Sequence, residues 1–150
     1  MKTPNPEFVR ELKQVVKNSP YPSHMKMALT ELSYDYATVV MDLDRCHLQP
    51  YGIVHGGVIA TLIDTATFWA GFLRLPEDAG LVNVDLKLNY LKSVVEGQLT
   101  AEGYCMRWGK TISYAEARVL NEDGELIAHG TSSLMALPGK GLDMAIPKFL

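Results

Sequence analysis

Between Gly57 and Gly71 runs VIATLIDTATFW with its Ala70 end, thirteen residues that contain no proline, no glycine and a single charge. A stretch of that length without a breaker predicts an α-helix from Gly56 or Gly57 to about Gly71. Stepping about 100° per residue from Asp64 puts Gly57, Ala60, Thr61, Thr67, Phe68 and Gly71 on the side of the acid. Val58, Ile59, Leu62, Ile63, Ala66 and Trp69 fall on the flanks and the back. A helix that is apolar on nearly all sides has to be buried, here against a sheet, with one face of mostly small residues carrying an acid.

The rest of the chain supplies that sheet. Val84, Leu86, Leu88 and Tyr90 alternate with Asp85, Lys87 and Asn89, which predicts a half-buried strand over 84–90. Further strands are expected at 98–107, 111–120 and 125–137, the last two joined as a hairpin by Asn121-Glu122-Asp123-Gly124. Before the long helix, Asn5-Pro6-Glu7 predicts the start of a short amphipathic helix carrying Phe8, Leu12, Val15 and Val16. A connector over 20–27, one strand over 28–42 and a loop over 42–52 then follow, while 138–150 reads as a peripheral tail. Four consecutive strands after one buried helix predict an α+β domain, single over residues 1–150, with an antiparallel sheet packed on that helix.

Charge and cysteine content narrow the function. The net charge is -3 and the basic residues are scattered, so no stripe suited to nucleic-acid phosphates is present. Met1 to Lys13 lacks the apolar core of a signal peptide, and no run is long and apolar enough to span a membrane, so a cytoplasmic protein without a membrane or nucleic-acid partner is expected. Cys46 and Cys105 have no partner spacing for zinc, a redox pair or a disulfide, and both are expected as buried free thiols. No metal is called for.

The stretch Gln49-Pro50-Tyr51-Gly52-Ile53-Val54-His55-Gly56-Gly57 leads into the helix that holds Asp64. Paired glycines at a helix start permit close approach to the backbone, and first-turn N–H groups lack an internal acceptor. With the helix dipole they suit an oxyanion or a polarised carbonyl. An aspartate inside so apolar a helix is costly if buried as an unpaired charge, which marks Asp64 as a catalytic candidate unless it faces solvent or bonds Thr61 or Thr67. His55 serves equally as a cap, and the glycines as a tight turn. Gly57 and Asp64 are seven positions apart, about 10 Å along a helix axis, so one helix cannot present both groups to one carbonyl. Two such helices running antiparallel across a two-fold axis would, making two composite sites in an obligatory dimer.

The string GIVHGGVIATLIDTA, with its acid nine residues after the histidine, resembles the signature of hotdog-fold thioesterases related to those of phenylacetic acid degradation. VDLKLNYLKSV, GKTISYAEARV and GELIAHGTSSLMAL resemble that family's later strands in order, so the likeness runs from about Leu32 to Leu137. The resemblance implies a hotdog fold, a long helix wrapped by an antiparallel sheet, paired into a homodimer and often doubled into a homotetramer. It also implies hydrolysis of an acyl-CoA without a cofactor. The Gly56 amide would polarise the carbonyl, His55 would hold its loop, and Asp64 of the neighbouring chain would be nucleophile or general base.

Gln49 stands where many relatives carry Asn and keeps an amide donor and acceptor with one more methylene. Asn83 stands where relatives often place Ser or Thr near the reacting centre. Gly57 and Thr65 flank the expected site; Phe68, Trp69, Tyr90 and Tyr114 are pocket or core, and Arg107, Lys110 or Lys92 are candidates for the coenzyme A phosphates. The competing reading is an acyl-CoA binding or sensing protein that does no chemistry. A hotdog dehydratase is disfavoured by the spacing of the histidine and the acid.

Overall fold

A computed structural model describes residues 1–150. Helix α1 (Pro6–Asn18) is capped by Asn5, whose side-chain oxygen accepts the Glu7 N–H at 3.0 Å, and it buries Phe8, Leu12 and Val16. The expected connector contains a second helix, α2 (Pro20–His24), with Pro20 in its first turn, where a missing N–H is harmless. The strand expected over 28–42 is two, β1 (Met27–Ser33) and β2 (Tyr36–Asp42), paired as an antiparallel hairpin. The chain reverses through Asp35 at φ 62°, a left-handed conformation that Asp tolerates better than most side chains. With neither glycine nor proline at the turn, the sequence carried no sign of the break.

Helix α3 (Gly56–Phe72) is the long helix, and the strands β3 (Gly80–Asn83), β4 (Lys87–Tyr90), β5 (Gln98–Arg107), β6 (Ile112–Leu120) and β7 (Leu126–Leu137) follow it. All seven strands form one antiparallel sheet in the order β1-β2-β5-β6-β7-β3, with β4 also paired to β7. The single strand expected over 84–90 is thus broken: Asn83 pairs with Leu134 and Lys87 with Thr131, leaving three residues opposite two. This is a bulge, and Asp85 satisfies it, its carboxylate accepting the Ser133 N–H at 2.7 Å and its carbonyl the Ser132 hydroxyl at 2.8 Å. The β6–β7 hairpin forms as expected.

The sheet curls around α3, which lies against β2, β5, β6 and β7. Ile59, Leu62, Ile63, Ala66 and Ala70 of the helix and Val39, Leu99, Val119 and Leu134 of the sheet are buried together. Ala101, Gly103, Ala115 and Ala117 floor the contact, and a Cβ at Gly103 would run into the α3 backbone at Ala66. Small residues in the sheet therefore set how closely the helix approaches it.

The tail over 138–150 is mostly exposed, as expected of a peripheral segment, but its end is anchored. Lys148 is 2% exposed and donates to the carbonyls of Phe72 at 2.8 Å and Leu75 at 3.1 Å, which close the C-terminal end of α3. Burial pulls its ammonium down to about 8. Phe149 pairs with Pro4, and the Asn5 N–H donates to the Lys148 carbonyl at 2.9 Å, so both chain ends are tied at that end of α3. Cys46 is exposed rather than buried, in a 3-10 turn, while Cys105 is half-buried and its thiol is pushed up to about 11 by burial. No helix is long and apolar enough to cross a membrane.

Candidate active site

The loop ahead of α3 is built on a buried histidine. In the 3-10 turn Arg45–His47, the Asp44 carboxylate accepts the Arg45 N–H at 2.6 Å, and His47 Nδ1 accepts the Asp44 N–H at 2.9 Å. Since Nδ1 accepts, the ring proton sits on Nε2 and is donated to the Met25 carbonyl at 2.9 Å. The His47 carbonyl in turn takes the His55 N–H at 2.8 Å, and the Val54 N–H bonds the Val94 carbonyl at 2.8 Å. Between them Gln49 to Ile53 make a tight turn with Gly52 at φ 79°. The Gln49 side-chain oxygen accepts the Tyr51 N–H, which leaves its Nε2 protons without an acceptor in the chain.

His55 is the N-cap of α3, its Nδ1 accepting the Gly57 N–H at 2.8 Å. The Gly57 amide is thereby engaged, whereas the Gly56 N–H has no hydrogen bond within the chain. Of the paired glycines expected to offer donors, Gly56 is the free one. Its carbonyl receives the Tyr90 hydroxyl at 3.2 Å, and a Cβ at Gly56 would come within 2.8 Å of that hydroxyl. Gly56 opens onto a cleft of 360 Å³ with Gln49, Tyr90, Lys92 and Ser93 on its walls and Ile53, Val54, Ile59, Leu91, Val94 and Ile127 around them.

Asp64 lies eight residues further along α3, about 12 Å along the axis. It lines a separate hollow of 270 Å³ with Tyr21, Gly57, Ala60, Thr61, Thr65 and Leu86. Its carboxyl is raised above the ordinary range by burial. Beneath it Asn83 ties the helix to the sheet: Nδ2 lies 3.2 Å from the Asp64 carbonyl, 3.1 Å from Thr67 Oγ1 and 2.8 Å from Ser132 Oγ. Two protons shared among three acceptors hold the Asp64 turn of α3 in place, so Asn83 acts here on the backbone of the candidate site.

The structure thus groups Gln49, Gly56 and Tyr90 in one concavity and Gly57, Asp64 and Thr65 in the other, with His55 fixing the turn between them. Phe68 packs edge-on against Trp69 at 4.8 Å and stacks on Phe72, and it lines neither hollow. Arg107 and Lys110 are exposed and also line neither, whereas Lys92 reaches the cleft and pairs with Glu125. His47 and Tyr21 escaped sequence reasoning. The Asp44-to-His47 spacing of a capping turn was a usable signal for the first; Tyr21 sat in a segment that looked like a connector.

Chemically, an unbonded N–H at a helix N-terminus is a donor for a developing oxyanion, and a desolvated carboxylate is a stronger base than one in water. One chain presents them in different concavities.

Residues 51–128 match the thioesterase superfamily. A Haemophilus influenzae protein with an inferred esterase assignment is 30% identical over 118 residues, covering 79% of this chain and 85% of that protein. A proofreading thioesterase of Cronobacter sakazakii is 26% identical over 101 residues, 67% of this chain and 74% of its own. The crystal structure of a Haemophilus influenzae thioesterase superposes with a TM-score of 0.83 at 26% identity, covering 97% of this chain and all of that one.

Proposed function

The chain belongs to the thioesterase superfamily and has its hotdog fold, and from that premise we propose that it hydrolyses acyl-CoA thioesters at a site shared by two copies of the chain. The observation that carries this reading is the separation of the free Gly56 N–H from Asp64 on one helix. Each group needs a counterpart from a second copy. The spacing of His55, Gly56 and Asp64 supports a place in the phenylacetic acid degradation-type branch, and the same proposal makes the protein a cytoplasmic homodimer that doubles into a homotetramer.

In the proposed reaction the thioester carbonyl oxygen points at the Gly56 N–H of one copy. Asp64 of the other takes a proton from water as the water oxygen bonds the carbonyl carbon, or attacks that carbon itself. The negative charge that gathers on the carbonyl oxygen meets the amide and the positive end of the α3 dipole. Collapse breaks the carbon–sulfur bond. Where Asp64 is the base, the proton it took from water passes to the departing sulfur, and where Asp64 is the nucleophile the sulfur leaves as thiolate and takes its proton from solvent. Where Asp64 is the nucleophile, water then opens the acyl–aspartyl anhydride. Water is the sole co-reactant, so no cofactor is needed. Gln49, through its unengaged Nε2 protons, is placed to steady the carbonyl or the water, and Tyr90 holds the Gly56 peptide. Lys92 is the basic residue best placed to meet a coenzyme A phosphate, with Arg107 and Lys110 further off.

A thiol-release assay over a panel of acyl-CoAs tests the reading. Release from at least one member is expected, and binding without release would support the sensor alternative instead. The pH dependence is specific too. Asp64 works as the carboxylate, and burial raises its pKa, so kcat/KM is expected to fall about tenfold per unit on an acid limb lying above the 3.8 of a free Asp. A flat profile through that region would remove Asp64 from the rate-determining chemistry.

A further inference from the structure

We propose that Tyr21 is the acyl-specificity residue of the Asp64 hollow, the ring against which the acyl group of the substrate ends; this rests on the thioesterase reading above. The walls contributed by α3 are small: Gly57, Ala60, Thr61 and Thr65. The two bulky walls, Tyr21 and Leu86, come from other elements, so they set the length of the space beside Asp64.

Tyr21 is mounted as a fixed wall rather than as a loose surface side chain. Its hydroxyl lies 2.8 Å from Thr61 Oγ1, and Thr61 spends its own proton on the Gly57 carbonyl at 3.0 Å, so Tyr21 is the donor. The hydroxyl is therefore anchored to α3 one turn before Asp64. The backbone is equally constrained: Pro20 and Pro22 flank it, the Tyr21 carbonyl accepts the Met25 N–H at 2.9 Å, and Ser19 Oγ donates to the Val15 carbonyl at 2.7 Å. The α2 segment hangs from the buried stripe of α1, which ties it to the core. Yet the ring remains 54% exposed, more than an aromatic placed for core packing alone requires.

The test is kcat/KM for straight-chain acyl-CoAs from acetyl to palmitoyl, measured on the parent, Tyr21→Ala and Tyr21→Phe. Tyr21→Ala is expected to move the optimum to longer acyl groups, with a gain of about fourfold for each additional methylene buried. Tyr21→Phe keeps the ring and is expected to keep the parent's length preference. Should Tyr21→Ala fail to fold, Tyr21→Leu, which removes only the far edge of the ring, is expected to shift the optimum in the same direction by a smaller step. An unchanged optimum in an active Tyr21→Ala or Tyr21→Leu, with rates lowered evenly across the panel, would overturn the proposal and leave the hydrolase reading standing. A parent that releases no thiol from any member would overturn both.

Discussion

Asp64→Asn is expected to lower kcat for thioester hydrolysis by about a thousandfold while leaving the fold intact, because Asn matches the shape of Asp and can neither accept a proton nor attack carbon. The variant is also expected to be at least as stable as the parent at neutral pH. Burial raises the carboxyl pKa in the folded chain above its unfolded value, so the native state holds that proton more tightly. The group's effect on stability is then most favourable below the unfolded pKa and is lost as pH rises through the folded pKa. Above the folded pKa the penalty for the buried charge is present in the parent and absent in Asp64→Asn. Melting temperatures at pH 7 and pH 4 should show the variant's advantage shrinking as the pH falls. Loss of activity with loss of fold would instead make Asp64 a structural residue.

The second large effect is expected from Gly56→Pro, which deletes one hydrogen-bond donor and sets a ring against the Tyr90 hydroxyl. Proline is well accommodated at the first residue of a helix, where its missing N–H breaks no helical bond. The preceding His55 already has the extended geometry, φ -64° and ψ 137°, that a residue before proline adopts. With the free Gly56 amide gone, kcat is expected to fall about a hundredfold with KM little changed, since the donor serves the oxyanion more than the bound thioester. Any side chain at this position crowds the Tyr90 hydroxyl, which lies at the end of a side chain 60% exposed. Gly56→Ala is the control, because it meets the same hydroxyl and keeps the N–H. Equal losses in the two variants would mean that crowding, not the donor, is responsible.

The sequence made α3 legible because burial imposes a pattern that no loop carries: thirteen residues without a breaker, closed by glycines. The strands after it were legible by alternation, but alternation could not reveal the bulge at Val84 to Leu86, since Asp85 continues the polar phase while its carboxylate leaves the ladder to bond Ser133. The β1–β2 reversal was hidden because Asp35 makes it without a glycine. Lys148 was hidden because a lysine is by default a surface residue, and only the fold brings it to the carbonyls of Phe72 and Leu75 at the end of α3.

At the candidate site, His55, Gly56 and Asp64 stood out by residue type and spacing. What spacing could not say was which amide stays free. That depends on the His55 ring turning back onto Gly57, a contact two residues long that leaves Gly56 as the donor. Phe68 stood open between pocket and core, because its position relative to Asp64 on the helical wheel does not show the ring contacts it makes with Trp69 and Phe72.

Mixing the two impaired variants tests the shared site most directly. In a dimer refolded from equal amounts of Asp64→Asn and Gly56→Pro chains, random pairing makes about half the dimers hybrid. If each site joins the Gly56 amide of one copy to Asp64 of the other, every hybrid has one site with both defects and one site with neither. The mixture should then recover about a quarter of the parental activity, far above either variant alone. A mixture no more active than its components, under conditions where hybrids are shown to form, would place both groups in one chain's site and contradict the account.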